Sequence, residues 1–195
     1  MKVNKATKNT IAIIIMIIIS VALGYAYDKI SIWFEKRAHP LAYADIVEKY
    51  SEEYGVPKEI IYGVIKAESG FKSDAVSNMG AVGLMQITEP TLDWIAPRLG
   101  ENPVKGLLYD PDTNIKYGTY YLSYLYNEFG NWDIAFAGYN AGPNKVKNSW
   151  LGNPEYIKDN EIVYIPIEET RTYIQRVNKN KETYKRLYFD NQSIN

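Results

Sequence analysis

The pattern of hydrophobic and polar positions divides this chain into two unlike parts. From Thr10 to Tyr27 no charge interrupts a run centred on Ile11-Ala12-Ile13-Ile14-Ile15-Met16-Ile17-Ile18-Ile19. Eighteen such residues in an α-helix span about 27 Å, close to the hydrocarbon thickness of a bilayer. From Leu41 onward apolar positions recur instead at helical spacing among polar ones. Ile46, Val47, Tyr50 and Tyr54 mark a helix from Leu41 to Tyr54, which Gly55 is placed to stop. Pro57 opens the next, with Ile60, Ile61, Val64 and Ile65 on its apolar face. Glu68 lies four residues after Val64 and three after Ile65, so it shares that face at its last turn.

Further helices are predicted from Thr88 to about Ala96, from Asp110-Pro111 to Phe129 with Gly130 as the stop, from Asn131 to about Ala141, from Pro143, and from Thr170 to about Tyr188. Ser77 to Val82 reads as a loop, and only Val163-Tyr164-Ile165-Pro166 looks extended. The fold class expected is all-α.

Charge gives the apolar run an orientation. Lys2, Lys5 and Lys8 precede it and no acid occurs before Asp28, so the N-terminus is expected in the cytoplasm and the remainder outside. Trp33 and Phe34 suit an interface. A cleaved signal peptide is the competing reading, with Ala22-Leu23-Gly24 as its cleavage site, but the run is long for one. The expected organisation is a cytoplasmic stretch (residues 1–9), a single-pass membrane anchor (10–27), a linker (28–40) and an extracytoplasmic helical domain (41–190).

Composition then removes several chemistries. With 22 basic and 23 acidic residues there is no nucleic-acid signal. Cysteine is absent and His39 is the lone histidine, so thiol catalysis and Cys-ligated zinc are excluded, and no metal or cofactor is expected. Some of the 18 tyrosines must belong to the core, but so many amphipathic rings also suit a carbohydrate-lined groove.

Four segments carry candidate chemistry. In Glu68-Ser69-Gly70-Phe71, a carboxyl at the end of an apolar face is open to desolvation, which keeps it protonated near neutral pH. Taken alone, a solvated carboxylate at a helix end would be the ordinary reading. Ser77-Asn78-Met79-Gly80-Ala81-Val82-Gly83-Leu84-Met85-Gln86-Ile87 is too apolar for a free loop and should fold onto the core. Gln86 would then need a hydrogen-bond partner, from Glu68 or a ligand acetamido group. Gly138-Tyr139-Asn140-Ala141-Gly142-Pro143 is a helix corner whose phenol and amide suit a sugar hydroxyl and an N-acetyl group. Glu168-Glu169-Thr170-Arg171-Thr172-Tyr173 reads as a helix start, with Arg171 available to a carboxylate.

Glu-Ser, Gly-Leu-Met-Gln-Ile, Tyr-Asn-Ala-Gly and Glu-Thr-Arg-x-Tyr, in that order, resemble the lytic transglycosylase catalytic domain of the soluble-transglycosylase type, a relative of goose-type lysozyme. The resemblance covers about residues 41–188. It implies a lysozyme-like helical domain with a deep cleft for peptidoglycan glycan strands, acting as a monomer without a cofactor. It also implies that Glu68 is the single catalytic acid and base, and that Ser69, Met85, Gln86, Tyr139, Asn140, Glu169 and Tyr173 serve the substrate groove. One departure is visible: Gly138 stands where the family usually has alanine, at some cost in helix propensity. Asp74 is the nearest other acid and is expected to be solvated. A single acid suffices if the substrate supplies its own nucleophile, which gives a 1,6-anhydromuramoyl end. A hydrolytic muramidase and a non-cutting glycan-binding module are the alternatives.

Overall fold

Local capping chemistry sets most helix boundaries in the computed structural model, which describes residues 5–190. The chain falls into two units, residues 1–40 and 41–195.

The first unit is one helix, α1 (Lys5–Ala38). Its 34 residues make a rod of about 51 Å, and Ile13–Ala38 is long and apolar enough to cross a membrane. Its large apolar side chains lie open on the helix surface. The segment expected as a linker is therefore helical as far as Ala38. No Gly or Pro interrupts Tyr25 to His39, and Arg37 lies over the Trp33 ring one turn back. Of the N-terminal lysines that set the expected orientation, Lys2 lies outside the described residues.

In the second unit α2 (Ala44–Tyr54) ends on Gly55 in the left-handed conformation, and Pro57 precedes α3 (Lys58–Glu68). Thr88 caps α4 (Glu89–Ile95) by accepting from the Thr91 N–H. Asp110 caps α5 (Pro111–Phe129) by accepting from Thr113, and Gly130 at φ 67° closes it. Asn131 caps α6 (Trp132–Ala141) by accepting from Asp133 and Ile134. The turn α7 (Pro143–Lys145) runs into a wide turn ending at the buried Trp150. The last helix, α8 (Glu168–Tyr184), begins two residues before the position expected from Thr170.

The extended patch also differs from expectation. The strands are β1 (Ile157–Lys158) and β2 (Glu161–Ile162), an antiparallel pair, and Val163–Pro166 is not a strand. Asp159 and Asn160 join them with φ of 52° and 59°, the left-handed geometry of a tight hairpin turn.

The core forms where α3 lies along α8 and α5 packs on α6 and α2. Ile60, Ile61, Val64 and Ile65 are all buried. Gly63 lets α3 approach α8 closely, since a Cβ there would lie 3.1 Å from the Lys181 backbone nitrogen.

Gly138 has a packing role that its helix propensity concealed. A Cβ at this position would lie 2.9 Å from Phe129 Cε2 and 3.3 Å from Leu125 Cδ2. Gly138→Ala is expected to destabilise the domain by about 1 kcal/mol, because overpacking outweighs the propensity gain. A raised melting temperature would refute this.

Candidate active site

Glu68 is placed by the way α3 ends. The Ser69 N–H donates to the Ile65 carbonyl, and Gly70 turns left-handed at φ 58°. The acid thus stays on the face that buries Val64 and Ile65 while its tip reaches a trench of about 240 Å³.

The trench wall opposite α3 is the loop from Phe71 to Ile87, and buried polar groups hold its shape. The Ser69 hydroxyl donates to the Leu84 carbonyl at 2.8 Å and accepts from the Phe71 N–H at 3.1 Å. Asn114, on α5 and 1% exposed, accepts from the Met85 N–H at 2.7 Å. Its amide donates to the carbonyls of Val82 at 2.9 Å and Leu108 at 2.8 Å. Gly83, at φ 82°, passes so near that a Cβ would sit 2.2 Å from the Asn114 Nδ2. The loop then presents Gln86, itself left-handed at φ 51°. Its amide donates to the carbonyls of Gly83 at 2.9 Å and Ala75 at 3.2 Å. The partner sought for Gln86 is therefore backbone, rather than Glu68.

From α6, the Tyr139 hydroxyl donates to the Met85 carbonyl at 2.7 Å. The Asn140 Oδ1 accepts from the Thr170 hydroxyl at 2.7 Å, which leaves the amide donors for a ligand. Glu169 enters from the first turn of α8. Glu68, Gln86, Tyr139, Asn140 and Glu169 all line the trench, with Thr88, Met79 and Ser77 at its other edges.

Three of the residues assigned to the groove do not line it. Met85 is fully buried, its sulfur filling the space left by Gly118. Its backbone, which receives Tyr139, is what serves the site. Ser69 spends its hydroxyl on the loop. Tyr173 is buried behind Glu68, and its hydroxyl makes no hydrogen bond of full geometry. It still lies near enough to steady a charge on the Glu68 carboxylate. Arg171 donates to the Ile165 carbonyl at 2.5 Å, so it meets backbone rather than the expected carboxylate.

Asn114 and Thr170 were not identified as site residues from sequence. Asn114 did carry a signal, as a polar residue on the same α5 face as Gly118 and Leu122. Thr170 lies within the late motif but names no partner there.

The electrostatics separate Glu68 from the other acids. Burial pushes its pKa up to about 7, and the nearby Glu169 charge adds to the rise, whereas Tyr173 and the Arg176 cation pull it back. Burial, reinforced by Glu68, holds the Tyr139 and Tyr173 phenols well above their ordinary value. Asp74 is exposed and outside the trench. The arrangement offers one acid that is protonated near neutrality, in a polar slot bordered by amides and a phenol.

The model of the transglycosylase SLT domain family matches residues 45–163. The soluble lytic murein transglycosylase of Escherichia coli strain K12 is 38% identical over 145 residues, covering 71% of this chain and 22% of the relative. Membrane-bound lytic murein transglycosylase C of Edwardsiella ictaluri is 28% identical over 176 residues, covering 78% of this chain and 48% of the relative. The crystal structure of the 70 kDa soluble lytic transglycosylase of Escherichia coli superposes with a TM-score of 0.72 at 34% identity, over 80% of this chain and 26% of that one. The chain spans less than a quarter of the soluble relative and about half of the membrane-bound one. On the family match and the shared lysozyme-like helical fold, the chain belongs to the transglycosylase SLT domain family.

Proposed function

We propose that this chain is a membrane-anchored peptidoglycan lytic transglycosylase that cuts the β-1,4 bond between N-acetylmuramic acid and N-acetylglucosamine with Glu68 as its one acid and base. The observation that carries the reading is the position of Glu68, whose pKa burial raises to about 7 in a trench shared with Gln86, Tyr139, Asn140 and Glu169.

The protonated Glu68 gives its proton to the glycosidic oxygen as the bond from that oxygen to C1 breaks. The muramoyl acetamido oxygen supports the positive centre at C1. The Glu68 carboxylate then removes the proton from the muramoyl 6-hydroxyl while that oxygen bonds to C1. The product is a 1,6-anhydro ring, no water is consumed, and Glu68 ends protonated for the next cut. Intramolecular attack suits such a site, because a well-oriented group reacts at a very high effective concentration. Gln86 and Asn140 are assigned to the N-acetyl groups and Tyr139 to the sugar beside the scissile bond. Ser69, the Met85 backbone and Tyr173 support them from behind. Glu169 is given an electrostatic role, since its charge favours the protonated form of Glu68.

Mass spectrometry of digests of purified peptidoglycan tests the chemistry. Anhydromuramoyl ends are expected. Reducing ends in their place would make the enzyme a hydrolase, and an undigested wall would leave only a binding module.

The anchor rests on α1, whose apolar stretch suits a bilayer, and on the positive-inside rule, which places the domain outside the membrane. The full-length protein is expected to stay with membranes through an alkaline carbonate wash. Recovery of a shortened form in the medium alone would instead show a cleaved signal.

A further inference from the structure

Met79 lines the trench that holds Glu68, yet the proposed chemistry gives it no task. It is 89% exposed, more than any other large apolar side chain among the described residues. Its position is nevertheless built. The Ser77 hydroxyl accepts from the N–H groups of Met79 at 3.2 Å and Ala81 at 3.0 Å. The Ser77 N–H donates to the Ala81 carbonyl at 2.9 Å, and the Gly80 N–H donates to the Ser77 carbonyl at 3.0 Å. Gly80, at φ 77°, supplies the left-handed residue of this turn. The thioether is thus carried on a hydrogen-bonded turn at the trench edge.

The rest of the lining is mostly polar: Glu68, Ser77, Gln86, Thr88, Asn140 and Glu169. Of the others, Ala81 is buried and Tyr139 has its hydroxyl tied to the Met85 carbonyl. Met79 is therefore the large apolar surface that a ligand in the trench can cover, and its three rotatable bonds let it adapt to the shape it meets. Met85, six residues on, sets the contrast, since its sulfur is sealed in the core against Gly118. With no cysteine in the chain, methionine is its only sulfur, and a thioether is oxidised where an oxidant can reach it.

We propose that Met79 is an oxidation-sensitive contact of the trench: as a thioether it packs on bound substrate, and its conversion to the sulfoxide by a peroxide weakens that binding and slows the enzyme; this rests on the glycan reading above. In the step, a sulfur lone pair takes one oxygen of hydrogen peroxide, the O–O bond breaks, and the second oxygen leaves as water. The sulfur loses two electrons and the peroxide gains them. The product is polar where the thioether was apolar, so covering it no longer brings the hydrophobic gain. A dithiol-dependent sulfoxide reductase reverses the change, with the dithiol oxidised to a disulfide and the oxygen released as water. Glu68 takes no part in the step, so the effect falls on binding rather than on proton transfer.

Peroxide treatment of the full-length protein in detergent, stopped with catalase, tests the assignment. Peptide mapping reads each methionine, and muropeptide release is measured over a range of substrate concentrations. Met79 is expected to gain an oxygen well before Met85. Release at low substrate should fall about tenfold in step with that gain, the equivalent of losing the burial of one such side chain. The loss should be a rise in KM with kcat little changed, and methionine sulfoxide reductase with dithiothreitol should reverse it. Met79→Leu, compared with its own untreated state, should be insensitive to the same dose. Met79→Gln, polar without oxidation, should show the raised KM from the outset. Equal losses in wild type and Met79→Leu, or complete oxidation of Met79 with KM unchanged, would overturn the inference and leave the glycan reading standing. Failure of the untreated wild type to release any muropeptide would remove the glycan reading, and this inference with it.

Discussion

Replacing Glu68 with glutamine is expected to reduce muropeptide release by at least about a thousandfold, in line with loss of a general acid, while the domain stays folded and binds glycan. The amide matches the acid in shape but has no labile proton to give. Wild-type activity should also fall as pH rises above about 7, where the acid loses its proton. A second consequence concerns stability. The folded-state pKa lies above the ordinary glutamate value of about 4.3, so the native state holds this proton more tightly than the unfolded chain. Wild-type stability should therefore decline between about pH 4.3 and pH 7 and level off beyond. Glu68→Gln removes that dependence, so its melting temperature should exceed that of wild type at pH 8 and converge with it near pH 4. Muropeptide release and thermal melts across this range check both. Substantial cleavage by the variant would end the assignment, and parallel melting curves at every pH would show that the group is not desolvated.

Asn114→Ala is expected to cost about 3 kcal/mol or more, the largest stability loss foreseen here, since two buried polar groups lose their partners. They are the Met85 N–H and the Leu108 carbonyl. The Val82 carbonyl keeps the Ile87 N–H. The effect extends to the site, because the same loop carries Gln86 and the carbonyl that anchors Tyr139. Asn114→Asp should not rescue it. Aspartate preserves the acceptor for Met85 but sets a second oxygen against two carbonyls. Urea unfolding with activity measured in parallel provides the check. A cost below about 1 kcal/mol would mean that water satisfies the loop without this side chain.

Part of this molecule is readable because the interactions that decide it are local. Thr88, Asp110 and Asn131 each bond a backbone N–H within three residues, so capping residues announce the helix starts. Gly55 and Gly130 adopt the left-handed turn that favours glycine. The position of Glu68 on the buried face of α3 follows from the helical repeat alone. The helical continuation to Ala38 is legible too, in the absence of Gly and Pro between Tyr25 and Pro40, where the expected linker ends. The Asp159-Asn160 hairpin is also written in its turn residues, whereas Val163 to Ile165 is β-branched and aromatic yet forms no strand.

The sequence by itself determined the helical class, the apolar N-terminal segment, the order of the motifs and the acid at the end of α3. Each depends on contacts a few residues apart or on the character of a continuous segment. Only the tertiary structure decided that Met85 faces the core and offers its carbonyl to Tyr139, 54 residues away. It alone showed that Gln86 is held by backbone, that Asn114 supports the loop from 29 residues beyond Met85, and that Glu169 lies close enough to influence Glu68. Which face of a loop residue is buried, and what satisfies a buried polar atom, depend on where distant elements pack, and spacing along the chain carries no record of that.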